Sequence, residues 1–191
     1  MDTPTHVVVN LLLVGPRVRR TYATPVALGA LAPDVPMFLF YAAERLRGAT
    51  EEQIWTGRYF DAGWQLFFDV FNSLPIIAVA ALVAWRLGWP AWLAFFVSMG
   101  LHGVCDLLVH HDDAHRHFLP FSDWRFASPV SYWDPAHHGR TFLAVSLAGL
   151  VAGCAWLLRP REPFVVRVIA GGTLAVSATF LLFALTTWGA P

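Results

Sequence analysis

The chain has 191 residues, of which 57% are hydrophobic and 14% charged, with nine Trp, fifteen Phe and a formal net charge of zero. Soluble domains carry about 25% charged residues, so this composition excludes an ordinary water-soluble globule and predicts an integral membrane protein. All thirteen cations are Arg and they form no extended basic tract, which leaves no footprint for nucleic acid.

The N-terminus, MDTPTH, lacks a positively charged leader, so no cleaved signal peptide is expected. Thr3 and Pro4 read as N-cap and first residue of a helix through Val14, ended by Gly15 and Pro16, with His6 in its first turn. Roughly 20 residues are needed to cross a bilayer, so this helix is too short to span. A basic loop, Arg17 to Arg20, follows. Residues 24 to 43 form an apolar run interrupted by Pro33, Asp34 and Pro36, the pattern of two half-helices meeting at a polar break. Asp34 either caps the second half-helix or faces a site there.

Residues 44 to 63 are rich in Glu and Arg and read as a solvated loop or amphipathic helix. Trp64 to Trp85 is expected to span, with Asp69 near its start and a kink at Pro75, and residues 91 to 109 return across the membrane. The loop 111 to 140 is aromatic and suits a membrane interface. Asp134 and Pro135 read as N-cap and first residue of the next helix, which puts His137 and His138 in its first turn. Spans at 141 to 158 and 164 to 187 finish the chain. The expected fold is therefore all-α: a single helical membrane domain, residues 1 to 191, with four to five spans plus a short N-terminal helix. Cys105 and Cys154 lie inside apolar runs, which argues against a disulfide framework.

Seven of the eight histidines fall between His102 and His138, interleaved with Asp106, Asp112, Asp113, Asp123 and Asp134. His102, Asp106 and His110 are spaced i, i+4, i+8 and drift by only about 40° per step, so they share one helical face. A lone His in an apolar helix is usually a hydrogen-bonded core residue. A carboxylate one turn from it is costly there unless paired or bound to a metal. Imidazole with carboxylate suits Zn, with Mn or Fe possible in an oxygen-richer site. Antiparallel spans with short loops bring Asp69, His102, Asp106, His110, His137 and His138 to one face, and His6 and Asp34 are expected beside them. Arg counts in the loops lean that face to the cytoplasmic side.

Thr5-His6, Leu31-Ala32-Pro33-Asp34 and His102-x3-Asp106 with His110 downstream resemble, in that order, a small family of membrane-bound metal-dependent hydrolases of the bacterial inner membrane. They are more distantly similar to the zinc-dependent phospholipase C and nuclease group. The resemblance implies that His6, Asp34, His102 and Asp106 are metal ligands and Asp69 a further one. Asn72-Ser73 stands where the hydrolases often carry His-Ser, and no counterpart of the phospholipases' N-terminal amine ligand is evident.

The expected function is hydrolysis of a phosphoester or ester of a lipid or lipid-linked substrate at the membrane face. Asp113, His115 or His138 would act as general acid or base, and Arg116, Arg125 and Arg140 would bind phosphate. The alternatives are a di-iron membrane oxidoreductase, suggested by His111-x3-His115 and the His137-His138 pair, a bis-histidine haem protein, and a non-enzymatic metal-binding membrane protein.

Overall fold

A computed structural model describes residues 1–187, with side chains through Leu182. Helices, without a strand, are the regular structure of the described residues, and the segment from Leu108 to Asp134 is an irregular loop; the order is α1 (Thr3–Leu13), α2 (Gly15–Leu31), α3 (Val35–Leu46), α4 (Glu51–Thr56), α5 (Ala62–Asn72), α6 (Leu74–Arg86), α7 (Pro90–Leu107), α8 (Gly139–Leu157) and α9 (Phe164–Thr187).

Four stretches are long and apolar enough to cross a membrane: Gly15–Leu46, Pro90–Leu107, Gly139–Leu157 and Phe164–Leu182. Their outer surfaces stay apolar, with Phe38, Val97, Val104, Val145, Val151 and Val176 all exposed. An apolar perimeter of this extent does not suit water.

Both interruptions expected from the prolines are present, but the sharper one is the second. The run around Pro33 and Asp34 is two helices meeting at a polar break, as expected. A 3-10 turn, Ala32–Asp34, joins α2 to α3 within one 32-residue apolar stretch. The kink expected at Pro75 in the segment from Trp64 is present and sharper than a kink within one helix, because α5 and α6 meet at Ser73 with a 43° bend. Pro75 follows the bend as one of the first residues of α6, and Ser73 caps that helix through Ile76 N at 3.3 Å. Pro lacks the N–H that an interior turn would need, so a helix start at the bend accommodates it.

Three local expectations also shift. Arg17 to Arg20 lie in the first turns of α2 rather than in a loop. The N-cap of α1 is Asp2, whose carboxylate accepts from Thr5 N at 3.0 Å, and the helix ends at Leu13. Glu44 is buried rather than solvated, with Trp64 Nε1 donating to it at 3.1 Å and Arg47 beside it.

The short helix α1 is buried at the centre, against α2, α7, α8 and α9. Val7, Val8 and Leu11 of α1 join Ala23, Val26 and Ala30 of α2, and Leu150, Cys154 and Leu157 of α8, in one apolar core. Small residues permit the closest approaches. A Cβ on Gly29 would lie 2.1 Å from the Phe95 carbonyl oxygen, so α2 and α7 touch backbone to backbone there. At the far end of α1, Arg19 and Glu162 form a buried pair (2.9 Å), and Arg19 also donates to the Leu11 carbonyl at 3.0 Å. This ties the α1–α2 corner to the α8–α9 turn.

Candidate metal centre

The first turns of α1, the last turns of α7 and the 3-10 turn between α2 and α3 meet at one end of the bundle. His6, His102 and Asp106 converge there, all buried, with ligand atoms within 4.8 Å of one another. His6 Nε2 lies 2.9 Å from Asp106 Oδ1, and His102 Nε2 lies 2.9 Å from Asp106 Oδ2. The two imidazoles stack, with centroids 3.5 Å apart and planes 11° from parallel. The helical stripe explains the α7 pair, because i and i+4 side chains lie one above the other.

The donor set fits a metal on two counts. Imidazole nitrogens with one carboxylate are the ligand chemistry of Zn and its first-row neighbours. Donors about 2.0–2.1 Å from a tetrahedral ion stand roughly 3.3 Å apart, and each imidazole here lies 2.9 Å from one oxygen of Asp106, somewhat closer than that. His102 Nε2 finds no aligned hydrogen-bond partner although two carboxylates approach it. Its Nδ1 lies 2.7 Å from the Ala30 carbonyl oxygen, an acceptor only, so in the neutral ring Nδ1 carries the proton and Nε2 keeps a lone pair available to an ion.

Asp34 and His110 flank this group. Asp34 accepts from Thr3 Oγ1 at 2.6 Å and sends its other oxygen to within 3.5 Å of His102 Nε2. Its side chain makes no capping bond to α3 and approaches His102 instead, although it lies outside the group of three. Helix α7 ends at Leu107, so His110 is not the third member of a helical stripe but sits in the turn beyond it. It still reaches the centre, with Nε2 3.4 Å from Asp106 Oδ1 and Nδ1 3.0 Å from Asp113 Oδ2. Burial opposes a charge on His110, but the Asp106 carboxylate outweighs it and lifts the pKa to about 9. Burial likewise opposes ionisation of Asp113, yet contact with His110 holds its carboxyl below the usual range. The α-amino group of Met1 donates to Asp106 Oδ1 at 2.6 Å, a contact with no counterpart in the sequence reading.

Asp69 falls outside the metal group. It accepts from Arg116 N at 2.9 Å, Arg116 Nε at 2.6 Å and Arg125 Nη2 at 3.0 Å, while His115 Nδ1 lies 3.7 Å away. The expected metal ligand is thus the counter-ion of the two expected phosphate binders. Arg116 also binds Asp123 at 2.8 Å. Arg116 and Arg125 line a cavity of about 400 Å³ together with Phe60, Gln65 and Asp112. Arg140 and His138 are both exposed. His138 adopts a left-handed φ of 65° just before α8, so His137 and His138 belong to a 3-10 turn and a hinge rather than to a helical first turn.

Two further groups border the centre. The Tyr132 ring lies 4.8 Å from His110, and burial together with Asp113 holds its phenol well above the usual range, protonated and able to donate. Nothing in the sequence marks this Tyr among the loop's other aromatics. His117 is buried, with Nδ1 3.1 Å from the His115 carbonyl, and burial followed by the nearby His115 depresses its pKa to about 4. His111 and His115, the fragment of a histidine box, diverge: His111 stacks on His137, and His115 faces Asp69.

No protein-family model, curated protein or solved structure matches this chain.

Proposed function

We propose that this is a membrane-embedded metal-dependent hydrolase acting on a phosphoester or ester of a lipid or lipid-linked substrate, with Zn as the favoured ion. The observation that carries the reading is the buried group of His6, His102 and Asp106, whose His102 Nε2 is aimed inward without a hydrogen-bond partner. When bound, a divalent ion supplies Lewis acidity and lowers the pKa of its water from about 15.7 to about 7.

The chain's own residues supply the rest. Ala30 fixes the tautomer of His102. Asp113 orients His110, which, held protonated, is positioned to give a proton beside Asp106 and take it back. The Tyr132 hydroxyl, kept protonated, offers a donor to an oxygen that gains charge. Arg116 and Arg125 orient a phosphate from the neighbouring cavity, with Asp69 restraining their side chains. The divergence of His111 from His115 counts against the di-iron alternative, which needs its box histidines to converge.

The test is metal analysis of detergent-purified protein, with Asp106→Asn and His102→Ala beside the parent. The parent should retain a divalent ion and release product from a chromogenic phosphodiester or phospholipid vesicles. Both variants should lose metal and hydrolysis together while eluting as the parent does in size exclusion. Full metal content in both variants would remove these residues as ligands.

A further inference from the structure

Two histidines that the buried centre does not use are held in the manner of metal ligands. His111 and His137 stack with ring centroids 3.6 Å apart and planes 22° from parallel. Nδ1 of His111 lies 2.7 Å from the Ser128 carbonyl oxygen, and Nδ1 of His137 lies 2.6 Å from Asp134 Oδ2. Both partners are acceptors, so each neutral ring carries its proton on Nδ1 and keeps a lone pair on Nε2. A carbonyl or carboxylate fixing the far nitrogen is what metal-ligating imidazoles nearly always show. The buried centre uses the same device, with His6 stacked on His102 and the Ala30 carbonyl on His102 Nδ1.

The surroundings hold this pair rigidly. Ser128 donates from its hydroxyl to the Leu108 carbonyl at 2.6 Å and from its backbone N to the His110 carbonyl at 2.9 Å. The free oxygen of Asp134 accepts from Ala136 N at 2.9 Å, and its carbonyl receives His137 N at 3.0 Å and Gly139 N at 2.9 Å. Gly139 has no room for a side chain, since a Cβ would lie 2.6 Å from the Asp134 carbonyl oxygen. This ordering serves no apolar core, because the His137 side chain is 34% exposed.

We propose that His111 and His137 form a second cation site at the surface of the loop, taking a late first-row divalent ion through Nε2 of each ring, with water completing the coordination. Imidazole pairs favour Cu, Ni and Zn, and Cu²⁺ binds most tightly of these, which makes it the probe. The site does not depend on the buried centre being catalytic.

The experiment titrates the detergent-purified full chain with Cu²⁺ and reads bound copper and its imidazole nitrogens by electron paramagnetic resonance. It is repeated in the Asp106→Asn background, which keeps copper off the buried centre. One equivalent with two imidazole nitrogens is expected in the Asp106→Asn background, and a further equivalent at the buried centre in the parent. His111→Ala and His137→Ala should each leave one nitrogen. Asp134→Asn retains a side-chain acceptor for the turn but no longer holds His137 with a carboxylate, and should weaken copper by about 10–100-fold. The proposal falls if, in the Asp106→Asn background, the added His111→Ala/His137→Ala double substitution leaves copper binding unchanged, or if no copper binds in that background at all.

Discussion

Acidification should destabilise this protein in part through His117. Its ring is 2% exposed, and its Nε2 has no hydrogen-bond partner. Burial, seconded by His115, takes its pKa from 6.5 down to about 4. In an unfolded chain the same side chain titrates at about 6.5, so between those values the unfolded state binds a proton that the folded state refuses. The stabilisation is complete above about pH 6.5 and is lost as pH falls toward about 4, where the loss amounts to about 3 kcal/mol. For a chain of this size that corresponds to a drop of roughly 6–12 °C in Tm. His117→Leu removes the titrating group while keeping an apolar side chain in the space. Thermal unfolding in detergent, followed by tryptophan fluorescence at several values between about pH 7 and about pH 4, measures both proteins. The parent's profile should be steeper than the variant's by about 3 kcal/mol across the window. Parallel profiles would refute the argument, since they would mean that the folded protein accommodates a charged His117.

Three further outcomes follow from the packing. Gly29→Ala drives a methyl into the Phe95 carbonyl oxygen, which lies 2.1 Å from the new Cβ, and should destabilise by about 1–3 kcal/mol in thermal melts. Arg19→Met leaves Glu162 charged and buried and should cost on the order of 3 kcal/mol, whereas pairing it with Glu162→Leu should recover most of that loss, as a double-mutant cycle would show. The apolar perimeter predicts that the protein stays with membranes through carbonate washing and leaves them only in detergent.

Much of the site was legible in the sequence because it depends on spacing. His102 and Asp106 share a face by helical geometry alone, and His6 and Asp34 arrive beside them because their elements end at the same place. Asp69 was misassigned for the opposite reason. Its partners Arg116 and Arg125 are 47 and 56 residues away, and sequence spacing carries no signal for an ion pair closed by a loop. His110 reaches the centre, but by a turn beyond the helix end rather than along a stripe. Both interruptions fall where the prolines mark them, but their relative sharpness was not legible, because Pro33 and Pro36 were weighed as the stronger breakers. Near a helix start Pro costs little, so the two prolines sit in a continuous apolar run, whereas Ser73 offers a cap at which the next segment stops and starts again.

Beneath the stacked histidines lies a polar rung. Asn10 donates to the Ser98 carbonyl at 2.7 Å and to its hydroxyl at 2.8 Å, and that hydroxyl donates to the Val26 carbonyl at 2.6 Å. Asn10 is one turn beyond His6 on α1, and Ser98 is one turn before His102 on α7. Apolar surfaces alone would let α1 ratchet along its groove by one turn, about 5.4 Å, and still meet other apolar side chains. The polar rungs forbid that slide. In the shifted position Val14 would face Ser98 and Asn10 would face His102, stranding hydroxyl, amide and imidazole groups in the core at once. The Asn10–Ser98 pair therefore acts as a detent, setting how far α1 enters the bundle and hence the height at which His6 meets Asp106.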